Sequence, residues 1–139
     1  MIGILNLNQL SRMAHTYNNT TVVRVCSYNM HGFTNGLPLA KELCNDHDVI
    51  LLQEHWLLQD NLHKISSISS EFQAYSLSSM NEKIARGILV GRPFGGVAVL
   101  WRKSLACLVK VIHADEGDGK LITISIGKGG APELIITCV

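Results

Sequence analysis

The chain has 139 residues, the length of one domain with a core of its own. Hydrophobic residues make up 47% and charged residues 17%, which excludes a disordered segment. The net charge of +1 gives no electrostatic footprint for nucleic acid, so such a partner has to be argued from a site and not from charge.

No apolar run approaches the length of a membrane span, and no membrane partner is expected. Residues 1–10 lack a positive n-region and are broken by Asn6, Asn8 and Gln9. This argues against a secretory signal and for an intracellular protein. Cys26, Cys44, Cys107 and Cys138 are far apart and show no CxxC spacing. They read as reduced thiols, with nothing in their spacing to support a zinc site.

Residues 1–21 read as a leader that closes on the polar cluster Asn18-Asn19-Thr20-Thr21. Residues 22–28, rich in valine, predict a strand covered on both faces. Residues 38–46 predict a helix, with Pro38 in its first turn and Leu39, Leu43 and Cys44 on one face. After Asp48, the run Val49-Ile50-Leu51-Leu52 predicts a second strand. Strand, short helix and strand form a βαβ unit, which makes the two strands parallel. Residues 57–68 carry Leu58, Leu62, Ile65 and Ile68 at helical spacing, and the serine-rich stretch after them holds a short strand at 73–77. Residues 80–92 read as loop. Four strands follow at 96–102, 107–113, 120–127 and 133–139, with turns at Asp115-Glu116-Gly117-Asp118-Gly119 and Gly127-Lys128-Gly129-Gly130.

Parallel strands end on one sheet edge, where α/β folds bind ligands. Asn29 and Glu54 each close one of the two strands. A carboxylate beside an amide oxygen is a start for a Mg²⁺ site, because Mg²⁺ takes hard oxygen ligands and often only one or two from protein. Gly32 would let backbone approach a phosphate. Spacing alone reads Glu54 equally as a solvated strand-end carboxylate and Asn29 as a loop cap. Arg92, just ahead of a glycine-led strand, suits phosphate or is a solvated loop arginine. Trp56 stacks on a base or joins the core. His55 neighbours Glu54 and should point to the opposite face, and His47 belongs to the opposite edge. His31 alone is placed near the site, so no general base is assigned.

Four segments together resemble a known family: Val25-Cys26-Ser27-Tyr28-Asn29-Met30-His31-Gly32, Asp48-Val49-Ile50-Leu51-Leu52-Gln53-Glu54-His55-Trp56-Leu57, Gly91-Arg92-Pro93-Phe94-Gly95-Gly96-Val97-Ala98-Val99-Leu100 and Asp118-Gly119-Lys120-Leu121-Ile122-Thr123-Ile124. In this order they resemble the N-terminal half of an endonuclease/exonuclease/phosphatase domain. In texture they are nearest to the endonuclease domain of LINE-type retrotransposons, relatives of the apurinic endonucleases. The resemblance implies an α/β fold with a mixed sheet, half of a two-layer sandwich that is four-layered (α-β-β-α) when complete. It implies hydrolysis of a phosphodiester, usually in DNA, with Mg²⁺ (or Mn²⁺) as cofactor. On this analogy Glu54 is a metal ligand, Asn29 supports the metal or orients the phosphate, and Gly32 and Arg92 contact phosphate. A retroelement origin would allow a nuclear location.

The chain departs from the family pattern at His31, where an acidic or other polar residue is common. The family's tyrosine-and-proline segment, Asp-x-Asn pair and Asp-His pair are missing. Residues 22–139 are therefore expected to be a partial domain with a metal side and no base, and with an apolar sheet face left uncovered for association. The mean hydropathy of +0.20 agrees with that expectation. The alternatives are a non-catalytic remnant that binds metal or nucleic acid weakly, and a phosphatase of the same superfamily acting on another phosphate ester.

Overall fold

Two sheets face each other across an apolar layer in the computed structural model of the chain, one five-stranded and one three-stranded. The structure describes residues 2–7, 21–80, 84, 86–87, 93–127 and 134–139. The first sheet holds β1 (Ile2–Leu7), β2 (Thr21–Asn29), β3 (Val49–Gln53), β4 (Phe72–Leu77) and β5 (Val97–Arg102), in the order β1-β2-β3-β5-β4. It is mixed: β2 and β3 run parallel, and the other pairs are antiparallel. The second sheet holds β6 (Val109–Ala114), β7 (Ile122–Ile126) and β8 (Leu134–Cys138), all antiparallel. Residues 2–7, within the stretch read as a leader, form a strand along β2 that the sequence pattern had not marked.

Alternation along the central strands builds two layers of core. Val49 and Leu51 of β3 and Val97, Val99 and Trp101 of β5 face the second sheet. Ile50, Leu52, Ala98 and Leu100 face α1 (Phe33–Asp46). With both faces covered, these strands have to read as continuous apolar runs, which is why they were visible in the sequence. From the second sheet, Ile122, Ile124 and Ile126 are fully buried in the layer between the sheets. Each contributes about 1.5–3 kcal/mol of hydrophobic burial.

The helix differs from expectation. It starts at Phe33, immediately after the loop that leaves β2, so Pro38 lies in its second turn. Its buried positions are Gly36, Ala40 and Cys44, and Leu39 is 42% exposed. Pro38 leaves the Thr34 carbonyl without its usual helical donor. Packing of Phe33, Leu37 and Leu43 against the sheet overrides that loss. Residues 57–68 are not one helix. A 3₁₀ turn at Gln59–Asn61 leads into a single turn, α2 (His63–Ser66). The Ser67 hydroxyl donates to the Lys64 carbonyl at 2.7 Å, so a side chain takes an acceptor near the helix end. Ile65 and Ile68 are nonetheless buried, as their spacing required.

The edge where β3 begins is held by Asp48. Its Oδ2 accepts from the Arg24 backbone N–H at 2.9 Å and from Arg24 Nε at 3.2 Å. Its Oδ1 accepts from Arg102 Nε at 3.2 Å. Arg102 Nη2 also donates to the carbonyls of Cys44 (2.7 Å) and Asn45 (3.2 Å), capping the end of α1. Burial pushes the Asp48 carboxyl up, but the Arg24 hydrogen bonds and charge, with Arg102, outweigh it and hold the group below the usual carboxylate range.

The second sheet covers β3 and β5, and Cys138 Sγ lies 3.4 Å from the Leu52 carbonyl. The apolar face expected to lie open is thus covered there. On the outer side of the second sheet, Lys110 and His113 stand in register with Ser125 and Thr123, and Ile135 alternates with Thr137. What remains exposed and apolar on these strands is Val111, Ile112 and Ile135.

Candidate functional site

The ladder between β2 and β3 continues past the strands into their loops. Asn29 is in register with Gln53. Beyond it, Met30 N donates to the Gln53 carbonyl, Gly32 N to that of Glu54 and Phe33 N to that of His55, each at 2.8 Å. On the other side, Trp56 N donates to the Gly95 carbonyl at 3.0 Å. The antiparallel pairing of β5 with β3 brings Gly95 and Gly96, which precede Val97, to this same edge. Three non-glycine residues in these loops have left-handed backbones: His31 (φ 48°), Glu54 (φ 55°) and Trp56 (φ 58°).

Glu54 is oriented by two donors on one oxygen. Trp56 Nε1 donates to its Oε2 at 2.8 Å and the Gly95 N–H at 2.9 Å. The Trp56 ring lies over Gly32, where a Cβ would come within 2.6 Å of the ring's Cε3. Gly32 itself has φ 94°. Asn29 is exposed, and its Oδ1 accepts from the His31 N–H at 3.1 Å, closing a local turn.

His55 is fully buried. Its Nδ1 accepts from the Leu57 N–H at 3.0 Å, which places the ring proton on Nε2, donating to the Leu77 carbonyl at 3.0 Å. Burial holds its pKa below the ordinary histidine value, against the opposing pull of the Leu77 and Val97 carbonyls and the Glu54 charge. It is a neutral pin between β3 and β4 and does not meet a substrate. Gly96 (φ 87°) makes room for this ring. Its N–H donates to Ser79 Oγ at 2.7 Å, and Ser79 Oγ donates to the Gly119 carbonyl at 2.9 Å. One hydroxyl thereby fixes the glycine pair to the loop entering β7.

No family model matches the chain, and no curated protein matches it. Among solved structures, an AP endonuclease from Leishmania major is similar over 81% of this chain, with a TM-score of 0.61 and 12% identity. A variant of a 3′ phosphatase from Neisseria, NExo, bound to a product DNA hairpin, is similar over 81% of it, with a TM-score of 0.51 and 16% identity. The chain has part of the endonuclease/exonuclease/phosphatase fold. It spans 38% of the length of the first of these chains and 40% of the second. The two facing sheets, one of them mixed, are the partial α/β sandwich that the sequence resemblance implied.

Within this endonuclease/exonuclease/phosphatase fold, the expected site residues fall as follows. Asn29 and Glu54 reach one sheet edge in neighbouring loops. Gly32 is bonded through its N–H to the Glu54 carbonyl, but the space left by its missing side chain is filled by the Trp56 ring. Arg92 lies outside the described residues. His31 is exposed in the loop beside Asn29, and His47 lies at the opposite edge with its ring on the Leu43 carbonyl. Trp56, expected on a base or in the core, instead holds Glu54. Sequence reading also missed the roles of Gly95, Ser79 and His55. The signal available for them was the Gly95-Gly96 pair at the head of a buried strand.

Among the described residues no three His, Cys, Asp or Glu side chains gather into a metal cluster. What the edge offers a cation is one oriented carboxylate and a neighbouring amide oxygen. That donor set fits Mg²⁺, which keeps several waters and shares its shell with phosphate, and does not fit a zinc cage.

Proposed function

We propose that this chain carries the metal-binding side of a phosphodiester-hydrolysing site. Its substrate is nucleic acid, DNA first, its cofactor Mg²⁺ (or Mn²⁺), and its descent that of the LINE-type retroelement endonucleases. The observation that carries the reading is the Glu54 carboxylate, fixed at the sheet edge by Trp56 Nε1 and the Gly95 N–H. The chain's similarity in fold to an AP endonuclease and a 3′ phosphatase supports the reaction class.

In this reading Glu54 offers a carboxylate oxygen to the cation. Asn29, one register position away, supports the metal shell or orients the phosphate. Bound there, the ion would act as Lewis acid on a phosphoryl oxygen and activate water. A setting inside the cell, nuclear for a DNA substrate, suits a chain whose Cys26 and Cys138 thiols are free and pushed up to about 11 by burial.

The first prediction concerns Glu54. Mn²⁺ binding followed by electron paramagnetic resonance should be present in the wild-type chain and at least about tenfold weaker in Glu54→Gln. Equal binding in the two would refute Glu54 as ligand. Plasmid nicking by the 139-residue chain with Mg²⁺ should be negligible. The reason is that, among the described residues, the histidine beside Asn29, His31, is exposed in a loop, while His55 is buried and His47 is at the opposite edge. Robust nicking abolished by Glu54→Gln would show that the chain suffices alone. The burial of His55, the histidine next to Glu54, favours one second reading: a chain that binds metal and nucleic acid without cutting. Retained Mn²⁺ binding without nicking is its signature.

A further inference from the structure

The geometry points to Trp56 as the positioning residue of this site, the side chain that sets the direction of the Glu54 carboxylate. The inference rests on Glu54 being the metal ligand. Four separate features converge on one hydrogen bond. Glu54 and Trp56 both take left-handed backbones, at φ 55° and 58°, which non-glycine residues enter only when their surroundings impose it. The two side chains, two positions apart in sequence, meet at 2.8 Å between Nε1 and Oε2. Gly32 lacks the Cβ that would strike the indole ring. The Trp56 N–H, donating to the Gly95 carbonyl, and the Gly95 N–H, donating to Oε2, fix indole and carboxylate to the same short segment.

A part-buried indole N–H finds a hydrogen-bond partner, and here that partner is the acid. Indole is a donor and not an acceptor, so it engages a carboxylate oxygen in one direction only and restrains its rotation. Two donors held on Oε2, the Trp56 indole and the Gly95 N–H, fix the rotation of the carboxylate. This is the role that outer-shell hydrogen bonds play for metal-bound carboxylates, where their loss weakens the metal more than the fold.

The test is Trp56→Phe, which keeps an aromatic side chain at this position and deletes the N–H donor. Mn²⁺ affinity should fall by about tenfold while the thermal midpoint moves little. Unchanged Mn²⁺ affinity in a folded Trp56→Phe chain would overturn the inference and leave Glu54 as ligand standing. Absence of any binding that Glu54→Gln removes would overturn both. A second measurement does not depend on the variant folding. In the wild-type chain, the indole N–H proton resonance of Trp56 should shift as diamagnetic Mg²⁺ is titrated. It should sit at a different position in Glu54→Gln without metal. A resonance indifferent to both changes would overturn the assignment. A tryptophan that only packs over Gly32 would leave the Mn²⁺ affinity unchanged.

Discussion

Glycine is needed at position 96 for two reasons that reinforce each other. Its backbone has φ 87°, and a Cβ there would run into the imidazole of His55. Gly96→Ala should lower stability by about 2–4 kcal/mol, from backbone strain and overpacking together. A urea midpoint reads the loss directly, and a midpoint within error of wild type would show that the His55 ring can move aside. The Gly95-Gly96 pair is plain in the sequence, yet its purpose is not. The ring that needs the space and the carboxylate that needs the N–H lie 41 positions earlier, and nothing local announces them. Asn29 and Glu54 could be placed from sequence because each simply closes a strand of a βαβ unit. Trp56 could not be assigned to Glu54, because that contact depends on two left-handed residues that no periodicity encodes.

Elements whose two faces are both covered were legible, and those depending on competing local bonds were not. β3 and β5 stood out as unbroken apolar runs. The turn of helix at His63–Ser66 carries helical spacing that the serine bonding around it does not let propagate. The start of α1 is set by the loop ladder with β3, and not by Pro38, so sequence placed it five residues late. At the opposite edge Asp48 joins β2, β3, β5 and the end of α1 through Arg24 and Arg102. Removing it by Asp48→Asn should lower stability by about 1–3 kcal/mol at neutral pH, discounted because Arg24 is half exposed. The folded carboxyl titrates below its ordinary value of 3.8, so its contribution is complete above that pH and is lost as pH falls through the depressed value. Urea midpoints of wild type and Asp48→Asn should therefore converge in strong acid. A gap that persists there would mean that the carboxylate's charge is not what holds this edge.

At the scale of the molecule, the three-stranded sheet is what meets solvent beyond the core. Among the described residues β6 and β8 are its edges, and Ile135 on β8 is 60% exposed. An edge strand carrying an exposed isoleucine invites pairing with a second copy. Sedimentation at micromolar concentration should show association that Ile135→Lys reduces. A cooperative monomer for wild type would count against it. At the other end of the molecule, the left-handed backbones of Glu54 and Trp56 set stability and chemistry against each other. A chain selected for stability alone would carry glycine at both positions, relaxing the turn and deleting the carboxylate and its donor in one step. Efforts to thermostabilise this fold by relieving backbone strain will therefore erase the proposed site first, unless positions 54 and 56 are held fixed.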